Sequence, residues 1–96
     1  MKKIVNTDKA PAAIGPYAQA VEIDGLVITS GQLPIDPATG AFPEGIAEQT
    51  RQSLTNVKSI LAEAGLGMDK VVKTTVFLSD MNNFGAMNEV YATFFG

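Results

Sequence analysis

The pair Asp24-Gly25 limits how this chain can fold more than any other feature of its sequence. An Asp-Gly pair between two apolar segments is typical of a two-residue hairpin turn, because both central residues of that turn adopt positive φ. The flanking segments then form antiparallel strands over residues 17–23 and 26–32. The sequence therefore predicts a β-hairpin near the start of the chain.

The hairpin register also predicts where side chains meet. Opposed residues project from the same face, so Gln19 lies across from Ser30 and Tyr17 across from Gln32 at the end away from the turn. Nearer the turn the same face carries only apolar side chains, namely Val21, Ile23, Leu26 and Ile28. A phenol, a hydroxyl and two amides at the end of an apolar strip indicate a small-molecule pocket.

The rest of the chain predicts an α+β domain. Residues 1–6 form an edge strand, and an apolar stripe predicts a helix over residues 45–64, which Gly65 ends in the left-handed conformation. Residues 71–78 are rich in β-branched side chains and predict a strand parallel to one of the hairpin strands. Asp80 caps a second amphipathic helix.

Composition excludes several function classes. The chain has no cysteine and no histidine, so it has no disulfide, cysteine nucleophile, Cys/His zinc site or histidine base. Seven basic and ten acidic residues give a net charge of −3, whereas nucleic-acid binders show a basic surplus, so we expect no nucleic-acid partner. No apolar run reaches membrane-spanning length and no signal-peptide core is present, so we expect a cytoplasmic protein without membrane contact.

Motifs along the whole chain resemble the Rid family of reactive-intermediate imine deaminases, especially its RidA subgroup. This family is also called the YjgF or endoribonuclease L-PSP family. Each motif is weak alone, but their order and spacing together are specific. The resemblance rests on residues 10–17 (APAAIGPY), 28–32 (ITSGQ), 65–66 (GL), 72–77 (VKTTVF) and 88–91 (NEVY).

The resemblance implies a chorismate-mutase-like α+β fold, with two helices on one face of a sheet. It also implies a homotrimeric barrel with active sites in the clefts between subunits. The implied reaction is hydrolysis of reactive 2-imino acids, and of their enamine tautomers, to 2-keto acids and ammonia. Such imines are products of pyridoxal-phosphate dehydratases, and the reaction is expected to use no metal and no organic cofactor.

The resemblance also implies which residues form the site. Tyr17 matches the pocket tyrosine, whose hydroxyl donates to the substrate or holds the attacking water. Ser30 and Gly31 are expected to bind substrate, Gly31 through its backbone. Asn88, on the second helix, matches an asparagine that the family has near the pocket. Phe84 lies on the same helix, and we expect it to wall the pocket and contact the substrate.

Each of these residues also has a purely structural interpretation. Tyr17 would anchor the sheet edge, and Ser30 would bond to backbone at a strand end. Gly31 would mark a bulge or bend, Asn88 would be a solvated amide, and Phe84 would pack in the core.

One departure from the family pattern affects the expected function. The family places a carboxylate-binding arginine and a water-positioning glutamate beyond the equivalent of Gly96, and Arg51 lies in the first helix outside any matching motif. We therefore expect residues 1–96 to form a single RidA-like domain without its C-terminal strand segment. Two alternatives stay open: a noncatalytic ligand-binding or regulatory trimer, and an RNA-cleaving translation inhibitor, which the acidic balance disfavours.

Overall fold

The structure is a computed structural model that describes residues 2–95, so the first residue of the predicted edge strand and the last residue of the chain lie outside it. It has an α+β fold, with a three-stranded antiparallel sheet in the order β1-β2-β3. Two short 3-10 turns, Met68–Lys70 and Met81–Asn83, precede the segment 71–78 and the second helix. The elements are β1 (Lys3–Val5), β2 (Ala20–Ile23), β3 (Leu26–Thr29), α1 (Ile46–Glu63) and α2 (Phe84–Phe94).

The hairpin forms with the predicted turn and register. Asp24 and Gly25 have φ values of 50° and 82°, and Val21 pairs with Ile28. The ladder is shorter than predicted, because it starts at Ala20 and not at residue 17. Upstream of it the chain makes a tight turn, in which the Tyr17 amide donates to the Gly15 carbonyl at 2.8 Å.

Helix α1 ends as its sequence predicts. Gly65 has a φ of 81°, and its amide donates to the Ala62 carbonyl at 2.9 Å. The Leu66 amide donates to the Leu61 carbonyl at 2.8 Å. These two bonds and the left-handed glycine form a Schellman motif, which satisfies carbonyls that the helix end would otherwise leave free.

Replacing Gly65 with alanine is expected to lower the free energy of unfolding by about 1–2 kcal/mol, because a Cβ disfavours the left-handed conformation. In the described part of the chain no atom lies within 4 Å of the added Cβ, so the effect comes from the backbone conformation. Gly85→Ala is the matched control: Gly85 lies inside α2, also with nothing within 4 Å, and alanine there should stabilise by up to about 1 kcal/mol. Urea denaturation measures both changes, and equal signs would contradict this account of the helix end.

The core lies between the sheet and α1. Ile60 of α1 is fully buried against Val5 of β1 and Ala20 of β2. Helix α2 packs against α1 and buries Met87 and Val90. Helix α1 therefore covers one face of the sheet, and α2 packs on α1.

The opposite face of the sheet is open. Ile4, Leu26 and Ile28 of this face are each between 51% and 56% exposed. These three residues, one from β1 and two from β3, are called the open sheet face below. An apolar sheet face that stays exposed in a monomer usually marks an interaction surface.

The prediction that residues 71–78 form a β-strand was wrong, because the segment joins no ladder with any residue in the range 2–95. Val72 and Phe77 are 89% and 92% exposed, and the Thr74 and Tyr91 hydroxyls, 2.5 Å apart, tie the segment to α2. A β-branched sequence gives a strand only when a neighbouring edge hydrogen-bonds to it, and here the parallel pairing with the hairpin does not form.

Candidate functional site

Tyr17 lies in an open groove of about 600 Å³ at the edge of the sheet. Ile4 of β1, Val21 of β2 and the loop before β2 form its mainly apolar walls. The Tyr17 ring is 51% exposed and lies beside Gly15, where an added Cβ would be 3.7 Å from two ring carbons. The groove thus presents a phenol to solvent above an apolar floor.

Lys2 lines the same groove and was missed by the sequence analysis. Lys2 reaches this groove because β1 pairs with β2 and brings the N-terminal segment alongside. The signal was present as the basic pair Lys2-Lys3 beside the predicted edge strand. A cation beside a phenol can attract and orient a small carboxylate.

Gln19 fixes the start of the loop that leads to Tyr17. Its side chain is 1% exposed, and its Oε1 accepts from the Thr7 amide at 2.7 Å. Its Nε2 donates to the carbonyls of Thr7, Ala10 and Pro11, at 2.9, 3.2 and 2.8 Å. The amide predicted for the pocket is therefore occupied by the backbone, and it holds the loop that forms one wall of the groove.

Ser30 comes directly after β3 and lies beside the residues that precede β2. Its amide donates to the Gln19 carbonyl at 2.8 Å, and its hydroxyl donates to the Ala18 carbonyl at 2.5 Å. The structural interpretation of this serine, a bond to backbone at a strand end, is thus present. Because a hydroxyl has one donor and two lone pairs, Ser30 is left with acceptor capacity toward a ligand.

Gly31 is exposed, and no atom of residues 2–95 lies within 4 Å of a Cβ placed on it. Within one protomer, steric contact therefore gives no reason for glycine at this position. The backbone at this strand end is open to a ligand or to another chain.

Phe84 and Asn88 lie one helical turn apart on an exposed side of α2, and Phe84 is 49% exposed. Neither residue, nor Ser30 or Gly31, lines the groove at Tyr17. Among the described residues, Ser30 is linked to the groove by the hydrogen bond from its hydroxyl to the carbonyl of Ala18, the residue after Tyr17. Phe84 and Asn88 on α2 are not part of the groove.

Charged residues elsewhere do not form a second centre of this kind. Arg51 pairs with Glu48 at 3.4 Å on the surface of α1, and with Lys58 it lines a shallow groove of about 410 Å³ between the helices. Among the residues in the described range, no three acidic side chains converge as metal ligands. No helix in that range combines the length and apolarity needed to cross a bilayer.

The comparisons with known proteins cover nearly the whole chain. The family model described as Endoribonuclease L-PSP matches residues 7–96. A RutC family protein from Haemophilus influenzae is 57% identical over 99% of this chain and 73% of its own length. The 2-iminobutanoate/2-iminopropanoate deaminase of Salmonella typhimurium is 54% identical over 99% of this chain and 74% of its own length.

The solved structure of E. coli TdcF with bound serine matches with a TM-score of 0.93 and 49% identity, over 96% of this chain and 72% of that one. The chain thus spans about three quarters of the length of these relatives. The high sequence identity and the shared fold both support the family resemblance that the motifs around Tyr17 and Ser30 indicate. The chain belongs to the endoribonuclease L-PSP family, which its sequence motifs resemble.

Proposed function

We propose that this chain carries the pocket of a cofactor-independent imine hydrolase, which converts 2-imino acids and their enamine tautomers to 2-keto acids and ammonia. One observation carries the proposal: the chain is 54% identical to a protein named 2-iminobutanoate/2-iminopropanoate deaminase over 99% of its length. All five candidate site residues lie within that span. Removal of unstable dehydratase products in the cytoplasm is the physiological role that fits this chemistry.

The reaction needs positioning more than a strong base. The carbon of a protonated imine is electrophilic, so water adds to it and the C=N π electrons move to nitrogen. One proton passes from the added oxygen to that nitrogen. The C–N bond then breaks and ammonia leaves as the C=O bond of the keto acid forms, while the second proton of the added water passes to solvent or to the departing ammonia. A site that holds the carboxylate and orients the water therefore supplies most of the acceleration.

The groove residues have distinct proposed roles. The Tyr17 hydroxyl donates to the substrate or to the attacking water. Lys2 lines the same groove, and its proposed role is to attract the substrate carboxylate. The Ser30 hydroxyl donates a hydrogen bond to the Ala18 carbonyl, so its proposed role is to accept a hydrogen bond from the N–H of the protonated imine. The open backbone at Gly31 contacts the ligand from the strand end.

We place Phe84 and Asn88 in the same cleft across a subunit boundary. Both are exposed on α2 and neither lines the Tyr17 groove of its own protomer. The open sheet face supports a homotrimer, since burying it against other copies removes apolar surface from water. In this arrangement α2 of one subunit closes the groove of another.

The test is release of 2-keto acid and ammonia from imines made in situ by a threonine or serine dehydratase. The 96-residue chain is compared with a chimera that adds the C-terminal segment of the Salmonella relative. The chimera should accelerate release in proportion to its concentration. It should exceed the 96-residue chain by roughly 10-fold or more, because a bidentate arginine is worth about 1.5–3 kcal/mol. No acceleration over buffer by the chimera would overturn the proposal.

Tyr17→Phe in the chimera is expected to lower kcat/KM about 10-fold, which corresponds to the loss of one hydrogen bond of about 1.4 kcal/mol. The chain contains two tyrosines, so Tyr91→Phe is the matched control. Tyr91 contacts Thr74 and lies outside the groove, so its variant should retain wild-type kcat/KM. Equal losses in both variants would remove Tyr17 from the site.

A noncatalytic ligand-binding role is the second candidate. The serine bound to TdcF shows that a relative on this fold holds a small amino acid, and the resemblance places the arginine and glutamate beyond residue 96. Saturable binding of 2-ketobutanoate by the chimera without imine turnover would favour this candidate. RNA retention that does not change with salt would remove the RNA-cleaving alternative, since phosphate contacts release counterions.

A further inference from the structure

Helix α1 carries a fully buried amide that reaches the loop following the candidate site. Asn56 is 0% exposed, although the other large buried side chains of α1, such as Leu54 and Ile60, are apolar. An amide in such a position is retained only if its donors and acceptor are all used. The buried amide of Asn56 therefore requires hydrogen-bond partners inside the protein.

The two N–H groups of Asn56 are both donated to one short loop. Nδ2 lies 3.1 Å from the Leu33 carbonyl oxygen and 3.0 Å from the Ile35 carbonyl oxygen. Oδ1 accepts from Nε2 of Gln52, one turn earlier on α1, at 2.9 Å. Both donors and the acceptor of the Asn56 amide are thus satisfied, and its plane is fixed.

The loop that Asn56 holds begins two residues after Gly31. The part that Asn56 holds, residues 33–35, contains Pro34, which has no N–H and joins no ladder. Within these three residues the backbone bond is that from the Ile35 amide to the Leu33 carbonyl, at 2.8 Å. The two bonds from Asn56 connect positions 21 and 23 residues apart in sequence. They anchor the chain downstream of Gly31, while the bond from Ser30 to Gln19 anchors it upstream.

We infer that Asn56 is a positioning residue for the substrate-binding strand end, residues 30–32. With both flanks of this strand end fixed, the Ser30 oxygen and the Gly31 backbone keep one orientation toward the ligand. Gln52 acts through Asn56 by holding its amide plane. The effect of Asn56 on ligand binding rests on the proposed function, whereas its anchoring of residues 30–32 does not.

Asn56→Asp is the informative substitution, because it keeps the shape and replaces both donors with an oxygen that faces two carbonyls. Gln52→Met is a milder second variant, which removes the group that fixes the Asn56 amide and keeps α1 folded. Thr50→Val is the matched control: Thr50 is also buried on α1, but its hydroxyl donates to Ile46 of the same helix. Each variant is made in the chimera and is compared with the unsubstituted chimera by amide NMR spectra and by titration with 2-ketobutanoate.

Asn56→Asp should shift the amide resonances of residues 30–32 and weaken 2-ketobutanoate binding by about 10-fold or more. Gln52→Met should shift the same resonances less, and Thr50→Val should leave both the resonances and the affinity unchanged. If neither Asn56→Asp nor Gln52→Met moves the resonances of residues 30–32, the inference is overturned.

The same experiment separates this inference from the proposed function. If the unsubstituted chimera shows no 2-ketobutanoate binding, the proposed function fails, and the resonance shifts alone decide whether Asn56 positions the strand end. If Asn56→Asp does not fold, Gln52→Met decides. Binding that falls equally in the Thr50→Val control would show a general loss of stability and would overturn the positioning role.

Discussion

Replacing Gln19 with leucine is expected to lower the free energy of unfolding by about 3–5 kcal/mol, because several buried backbone groups lose their partner and each costs about 1–3 kcal/mol. The amide contacts Thr7, Ala10 and Pro11 through four hydrogen bonds, and Ala10 belongs to the core. A small domain has only about 5–15 kcal/mol of stability, so this variant should be partly unfolded at 37 °C. Urea denaturation measures the change.

Gln49→Leu is the matched control for this prediction. Gln49 lies on α1, and its side chain donates only to the Pro43 carbonyl, at 3.1 Å. Its loss should cost about 1 kcal/mol or less. If the two glutamine variants lose equal stability, Gln19 does not hold the loop that walls the groove at Tyr17.

Self-association is the second property for which we expect a large effect. The 96-residue chain should aggregate or associate poorly, because β3 pairs only with β2 among the described residues and its other edge is unpaired. The chimera with the added C-terminal segment should instead sediment as a trimer. Sedimentation velocity over a range of concentrations distinguishes these states.

Ile28→Lys in the chimera tests which surface forms the trimer. Ile28 is 53% exposed on the open sheet face, so the lysine costs little in a monomer but is buried without a partner in the trimer. We expect the trimer to dissociate into monomers. Val72→Lys is the control on a different exposed segment, and it should leave the trimer intact. A heat-stable trimer of the 96-residue chain, or a trimer that tolerates Ile28→Lys, would contradict this account.

Local sequence signals were sufficient where the structure is decided by a few neighbouring residues. The positive φ values of Asp24 and Gly25 set the hairpin register, and Gly65 ends α1 through the predicted left-handed cap. Both depend on backbone conformation within one turn. The sequence could therefore predict the hairpin turn, its register and the bounds of α1, whereas the outer ends of the two strands were predicted too long.

Features that depend on distant partners were not predicted correctly. The segment 71–78 has strand composition, but composition cannot show whether an edge is available for pairing. Gln19 was placed in the pocket by alternation along the strand, whereas the loop that starts at Thr7 covers it. Asn56 was overlooked, although its position one turn before Ile60 on the apolar stripe of α1 was a visible signal of a buried amide.

The central claim is that Tyr17 and the strand end at Ser30 and Gly31 bind one ligand. Titration of the chimera with 2-ketobutanoate, followed by amide NMR, tests it most directly. We predict saturable shifts that report a single dissociation constant at Tyr17, Ser30 and Gly31. Shifts confined to the groove of Arg51 and Lys58 between the helices, or separate dissociation constants for Tyr17 and Ser30, would contradict it.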